Sequence, residues 1–272
     1  MLTEQTLFGE VDKVKAAIEL LQKHEPPEGY YLCFSGGKDS VVIYDLAIKS
    51  GVKFDAHHNI TTVEPPQLMK FIRDYYPNVI NERPPMTMHA LIVKKKIPPL
   101  RQMRYCCNYL KERGGQGRFK VTGIRSEESS RRAKRPQLDF SHDGKSSFLH
   151  VIKDWSSADV WQYIRVNNLH YCSLYDEGFE RIGCVLCPFE NAQKTKRDLE
   201  RFPAIVDYYR RACRKSFEVN KMLLHQKKQV WTSGDDMFNW WINEHALDTS
   251  LRIVIQFRFS AKMTAPLFKE DE

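Results

Sequence analysis

No run of apolar residues in this sequence is long enough to cross a bilayer, which excludes a helical integral membrane protein. The opening Met1-Leu2-Thr3-Glu4-Gln5 lacks the basic and apolar segments of a secretion leader, so a cytoplasmic location with no membrane partner is expected. In that compartment the seven cysteines stay reduced unless they bind metal. Internal repeats and low-complexity tracts are missing too, and what remains is ordinary globular composition, 42% hydrophobic and 28% charged. The 272 residues suffice for one α/β domain with a smaller appendage. Acidic residues are the minority charge, 34 against 42 basic, and the net +8 favours a polyanionic partner. The excess gathers in Lys94-Lys95-Lys96, in Arg131-Arg132 with Lys134-Arg135, and between Lys194 and Lys228. A solvated helix face accounts for any one of these residues; as a group they favour a nucleic-acid or nucleotide partner.

The most informative segment is Ser35-Gly36-Gly37-Lys38-Asp39-Ser40. It lies between two apolar runs, Tyr30-Tyr31-Leu32-Cys33-Phe34 and Val41-Val42-Ile43-Tyr44, a pattern of strand, tight loop and helix. Glycines let a ligand approach the backbone, and loop amides with a helix N-terminus converge on an anion. Lys38 adds positive charge, Asp39 is a candidate Mg²⁺ ligand, and Ser35 and Ser40 supply hydroxyls. The spacing is not that of the Walker loop, which keeps four residues between its first two glycines. It resembles the SGGxDS motif of the PP-loop ATP pyrophosphatases. That resemblance implies that ATP with Mg²⁺ binds here through its β- and γ-phosphates and is cleaved at the α–β bond, with Lys38 and Asp39 catalytic.

Along the chain, residues 3–24 read as an amphipathic helix with Leu7, Val11, Val14, Ile18 and Leu21 spaced three or four apart. Strands are expected at Tyr30–Phe34, Phe54–Ile60, Asn78–Asn81, Phe119–Ile124 and Phe148–Ile152. Helices are expected at Pro65–Tyr76, Met88–Lys96 and Ser156–Val166, the last with a capping sequence at Ser156-Ser157-Ala158-Asp159. Strands alternating with helices imply a doubly wound, mainly parallel α/β sheet covered on both faces, with ligands beyond the carboxyl ends of its strands. The expected organisation is an N-terminal helix at 1–24, a nucleotide-binding α/β domain at 25–188, and a mostly helical, basic C-terminal extension at 189–272. Gly114-Gly115-Gln116-Gly117 matches no phosphate motif and reads as a flexible turn.

Cys106-Cys107 and Cys184-Val185-Leu186-Cys187 form two tight pairs with metal-site spacing. Zinc and an iron–sulfur cluster are both compatible with four thiolates. Cys33, Cys172 and Cys213 read as buried, inert thiols. An adjacent Cys-Cys followed at a distance by Cys-x-x-Cys is similar to the [4Fe–4S] motif of assimilatory adenylylsulfate reductases, which share the fold of the phosphoadenylylsulfate (PAPS) reductase family. Two further segments resemble that family. Thr122-Gly123-Ile124-Arg125-Ser126-Glu127-Glu128-Ser129-Ser130-Arg131 looks like its nucleotide-lining segment, and Asp154 to Ile164 looks like its W-x-x-x-D-V-W-x-Y-I helix. The resemblance spans about residues 30–190. It implies an adenine nucleotide alpha-hydrolase-like fold, nucleotide contacts at Gly123 and Arg125, and core roles for Trp155, Val160, Trp161 and Ile164; for Arg131 and Arg132, phosphate contact and solvated surface both stay open.

Two departures bear on function. The sulfonucleotide reductases attack with a cysteine in a C-terminal Glu-Cys-Gly-Leu-His segment, whereas the last cysteine here is Cys213 and the stretch Ser260 to Pro266 has none. Those reductases also tend to carry degenerate loops, and this loop is intact, as in ATP-using sulfur transferases of nucleic acids. After the second strand the family often has an acidic residue next to a threonine. Here the sequence is Thr61-Thr62-Val63-Glu64, which assigns Thr62 to the nucleotide pocket and makes Glu64 the candidate acid. The expectation is therefore adenylylation of an acceptor with pyrophosphate release, for iron–sulfur-dependent sulfur transfer to a nucleic acid or similar acceptor. Alternatives are a PAPS or adenylylsulfate reductase using Cys172, Cys213 or a partner's thiol, and a non-catalytic nucleotide-sensing, nucleic-acid-binding subunit with structural zinc. A sulfur or electron donor protein is implied, and the family's habit of dimerising makes a homodimer an expectation.

Overall fold

The computed structural model describes residues 2–6, 9–141, 144, 146–226 and 231–246; the stretch at 260–266 lies outside them. In chain order the elements are β1 (Thr3–Thr6), β2 (Gly9–Asp12), α1 (Lys13–Lys23), β3 (Tyr30–Cys33), α2 (Lys38–Ser50), β4 (Phe54–Asn59), α3 (Pro66–Tyr75) and β5 (Ile80–Glu82). There follow α4 (Met88–Lys95), a π-helical turn at Cys107–Lys111, β6 (Phe119–Thr122), a 3₁₀ turn at Ser126–Glu128, α5 (Ser130–Ala133), β7 (Leu138–Phe140) and β8 (Ser147–His150). The chain continues through α6 (Ser157–Val166), a 3₁₀ turn at Ser173–Tyr175, α7 (Ala192–Arg201), α8 (Pro203–Gln226) and α9 (Gly234–Ala246).

Two compact units share these elements. The first comprises the chain up to Pro85 together with Cys106–Cys184, and the second comprises Met86–Tyr105 together with the chain from Val185 onward. The hairpin and α1 thus belong with the sheet, and α4 belongs with α7, α8 and α9.

The expected helix at 3–24 is shorter than its periodicity suggests. β1 and β2 pair antiparallel, Thr3 opposite Asp12 and Thr6 opposite Gly9, and the helix starts only at Lys13. Two local causes fix that start. The Asp12 carboxylate accepts the amides of Val14 and Lys15 at 2.8 and 3.0 Å, a full N-cap. Gly9 sits at φ +115°, a conformation no helix accepts. Val11 stays 39% exposed on β2, and Leu7 lies outside the described residues.

The main sheet has the order β5-β4-β3-β6-β8-β7, parallel throughout except that the edge strand β7 runs antiparallel to β8. From β3 the chain winds outward through β4 and β5 on one side and returns to β6 and β8 on the other. The carboxyl ends of β3 and β6 therefore form the switch point at which open α/β sheets bind ligands. One face of the sheet is apolar. Tyr30, Leu32, Phe34, Val121 and Leu149 are buried together with Val42, Ile43 and Leu46 of α2 and Ile164 of α6, and the Tyr30 hydroxyl donates to the Leu21 carbonyl at the end of α1.

The opposite face is polar. His57 stacks on Tyr31 at 4.1 Å and holds Glu82 at 2.9 Å and Asp55 through its two ring nitrogens, while Arg118 grips Asp55 at 2.5 Å. Gly114 and Gly115 close over this layer. A Cβ on Gly115 would lie 2.7 Å from the Tyr31 ring, so the glycine turn serves close packing. In the second unit α4 and α8 pack together: Ser216 and Asn220 donate to the carbonyls of Ile92 and Val93, and the Tyr208 hydroxyl accepts the His89 amide. Trp241 of α9 is fully buried, donating to the Pro99 carbonyl at 2.8 Å.

The start of α6 carries the expected capping box, with Ser156 and Asp159 each accepting the other's backbone amide. Lys13 adds an ion pair to Asp159 at 2.8 Å. Ser156→Ala is expected to cost about 1 kcal/mol, read as a fall of roughly 2–4 °C in Tm.

Candidate nucleotide site

Cys33 ends the central strand β3, and after Phe34 the chain turns through Ser35, Gly36 and Gly37 into α2. Gly36 sits at φ +74°, and a Cβ there would lie 2.5 Å from Leu68 Cδ1, so both the conformation and the space require glycine. Gly37 is the N-cap of α2 and supplies no side-chain acceptor. The Ser40 hydroxyl donates to the Gly37 carbonyl at 2.8 Å, and Ser35 and Ser40 lie 3.3 Å apart, which braces the turn from inside. Lys38 is 6% exposed, its ammonium 3.2 Å from the Glu180 carbonyl and 3.6 Å from Asp39.

The segment after β6 arrives beside this turn. Gly123 packs against Asp39 so closely that a Cβ would meet its backbone at 3.1 Å. Arg125 is 4% exposed and donates from Nε to Asp39 Oδ1 at 2.6 Å, and from Nη1 to Glu127 at 2.7 Å and to the Trp155 carbonyl at 3.3 Å. Burial works against the guanidinium charge, but the Asp39 carboxylate outweighs it and raises the Arg125 pKa above its ordinary value. The Arg125 hydrogen bond in turn holds the Glu127 carboxyl below the usual range. Of the two other arginines considered, Arg132 is paired with Glu128 and Arg131 sits exposed in α5. Both Asp39 oxygens face cations, so the carboxylate expected to hold Mg²⁺ is here engaged by the protein's own charges.

Thr62 adopts φ +68°, an unusual conformation for a β-branched residue and one found where function constrains the backbone. Glu64, the candidate acid, is turned inward: it accepts the Thr61 amide and lies 3.9 Å from His58, whose other nitrogen is 3.1 Å from the Phe34 carbonyl. It anchors the loop.

Cys106 is buried ahead of the π-helical turn that begins with Cys107, the Cys184 thiol donates to Thr61 Oγ1 at 3.3 Å, and Cys187 belongs to the second unit. None of the seven cysteines is in a disulfide. Among the described residues no group of three or more His, Cys, Asp or Glu is placed to hold a metal ion. The basic stretch from Lys194 also looks different in three dimensions. On α8, Arg210 and Arg214 pair with Asp235, Arg211 with Asp207 and Lys215 with Glu218.

The residue missed at the sequence level is Tyr175. Its hydroxyl accepts the Lys38 amide at 2.9 Å, and its ring meets Trp161 edge-on at 5.0 Å. Trp155, Val160 and Ile164 are core, as expected, but Trp161 is half-buried and supports Tyr175. The signal available was the aromatic pair Trp161 and Tyr175 downstream of the loop, which no local motif connects to it.

The model of the phosphoadenosine phosphosulfate reductase domain matches residues 29–190. An uncharacterized protein of Methanocaldococcus jannaschii is 27% identical over 206 residues, 70% of this chain, and the chain spans 42% of that protein's length. An adenosine 5'-phosphosulfate reductase of Oceanobacillus iheyensis is 29% identical over 173 residues, covering 58% of this chain and 70% of the reductase. The crystal structure of PAPS reductase from Candida auris in a phosphate complex superposes with a TM-score of 0.50 at 20% identity, over 62% of this chain and 88% of that one, a likeness of fold.

Gly36→Ala is expected to destabilise the protein by roughly 1–3 kcal/mol or more through its backbone conformation and the clash with Leu68, measured by denaturant unfolding. Burial pushes the pKa of both His58 and His150 down. Such neutral histidines contribute stability that is fully present above the unfolded value near pH ~6.5 and lost as pH falls through the depressed folded values. Thermal melting is thus expected at a lower temperature at pH 5 than at pH 7, with the difference reduced in His150→Gln.

Proposed function

The chain belongs to the phosphoadenosine phosphosulfate reductase domain family, and from there we propose that it binds ATP on the 35–40 loop and adenylylates an oxygen-bearing acceptor, releasing pyrophosphate. The purpose of that activation is sulfur transfer to a nucleic acid or similar acceptor. The observation that carries this reading is the start of α2, where the N-cap residue is a glycine and one amide, that of Lys38, is taken by Tyr175. With no side-chain acceptor at Gly37, the positive end of the helix is left for an anion beside the buried Lys38 ammonium.

The acceptor oxygen attacks the α-phosphorus. A new P–O bond forms as the bond to the α–β bridging oxygen breaks, and the electron pair leaves on pyrophosphate. Negative charge grows on that leaving group, and the loop amides, Lys38 and Arg125 are the groups of this chain that stabilise it. Asp39 acts through Arg125, holding the guanidinium beside the loop. Mg²⁺ bound together with the nucleotide would neutralise part of the phosphate charge as pyrophosphate departs. Once adenylylated, the acceptor oxygen departs with AMP when a sulfur nucleophile from a donor protein attacks.

A second reading, reduction of a sulfonucleotide to sulfite, is favoured by the name of the Oceanobacillus iheyensis relative. It needs a reactive thiolate. Cys172 and Cys213 are fully buried, and burial raises both thiols, Cys213 to about 12, which argues against either as the nucleophile.

Pyrophosphate release from ATP is the discriminating assay. Lys38→Ala and Arg125→Ala are each expected to lower it about tenfold or more, the effect of losing a charge-assisted hydrogen bond. Equal release by all three proteins would overturn the adenylylation reading. Sulfite formed from PAPS and a thiol reductant, with no pyrophosphate from ATP, would establish the second.

A further inference from the structure

Tyr175 reaches the phosphate loop from a turn more than a hundred residues downstream in sequence. Its oxygen accepts the Lys38 amide at 2.9 Å and stands 3.4 Å from where a Cβ on Gly37 would be. The ring is held in place: Trp161 meets it edge-on at 5.0 Å, Tyr171 at 6.4 Å, and the Lys38 ammonium lies 5.6 Å from its centroid. Burial raises the phenol pKa above its ordinary value, so the group keeps its proton across the working range. The hydroxyl thus spends its oxygen on the Lys38 amide and retains one donor, at the mouth of a loop whose N-cap carries no side-chain acceptor.

We propose that the Tyr175 phenol is a positioning residue for the polyphosphate: its O–H donates to a phosphate oxygen on the 35–40 loop while its oxygen keeps the Lys38 amide. The inference rests on the ATP reading and extends it to a residue outside the loop. Lys38 N–H, the phenol and the phosphate then form a chain in which each bond polarises the next. The anionic end makes the second bond the stronger of the two, since hydrogen bonds to charged groups exceed neutral ones. A neutral substrate hydroxyl would gain less from the same donor, so the position selects for a charged oxygen.

Two effects oppose each other in Tyr175→Phe. Removing the oxygen frees the Lys38 amide for the ligand, and removing the proton deletes a donor to a charged acceptor. The proposal holds that the second dominates. The substitution keeps the ring and its packing on Trp161, so the melting temperature without ligand is expected to fall by only about 2–4 °C, the cost of one hydrogen bond. Calorimetric titration of the full chain with inorganic pyrophosphate, and with ATP and Mg²⁺, is expected to show about tenfold weaker binding in Tyr175→Phe for both ligands. In pyrophosphate release the KM for ATP should rise by a similar factor with kcat little changed, the sign of lost ground-state binding. Unchanged or tighter binding would overturn the proposal, because the hydroxyl would then only occupy the amide. Failure of the wild type to bind either ligand would instead overturn the ATP reading beneath it.

Discussion

The ion pair between Arg125 and Asp39 joins the carboxyl ends of the two central strands. Arg125 follows β6 and Asp39 lies in the first turn of α2, so neither could reach the other unless those strands were neighbours at the switch point. The pair is largely out of water, with side-chain exposures of 4% and 21%. Burying either charge alone would be costly. Their contact therefore fixes the spacing of the two strand ends, and with it the distance between the loop amides and the segment from Gly123 onward. The Arg125 guanidinium reaches further, to Glu127 and the Trp155 carbonyl, which ties in the start of α6.

Around this pair the loop is held from several directions by chemically different means. Leu68 and Ile72 of α3 pack against Gly36, His58 of β4 bonds the Phe34 carbonyl just before the turn, and Tyr175 takes the Lys38 amide. Glu64 secures the neighbouring loop through Thr61 and His58, in a stretch that includes the positive φ of Thr62. A loop fixed in this way presents its amides without further ordering when an anion arrives, which reduces the entropic cost of binding.

The parts that were legible in the sequence are those whose causes are local. Strand, glycine turn and helix at 30–50 follow from an apolar run, two glycines and a second apolar run, and the start of α6 follows from Ser156 and Asp159. The switch-point position of Gly123 and Arg125 was legible through family resemblance. What escaped depends on contacts distant in sequence. The β1–β2 hairpin competes with a helical periodicity that Asp12 and Gly9 cut short. The antiparallel strand β7 is three residues long and carries too little pattern to register. The polar face of the sheet breaks the continuous apolar pattern expected of a parallel strand covered on both sides, because Asp55, His57 and Glu82 are satisfied by one another and by Arg118. The bond from Cys184 to Thr61 ties a thiol to the loop beside the site, a contact distant in sequence that the spacing of the cysteines does not reveal.

The assignment of α4 to the second unit has a consequence for how the molecule can be divided. Residues 86–105 leave the sheet unit's sequence and return to it, so no single cut separates the two units. A chain ended at Cys184 would keep the sheet and the whole 35–40 loop but lose α8, and the fully enclosed side chains of Leu91 and Ile92 would turn to water. Such a fragment would present a sticky helix in the middle of its sequence, and dissection of this protein has to remove 86–105 together with the helices that shelter it.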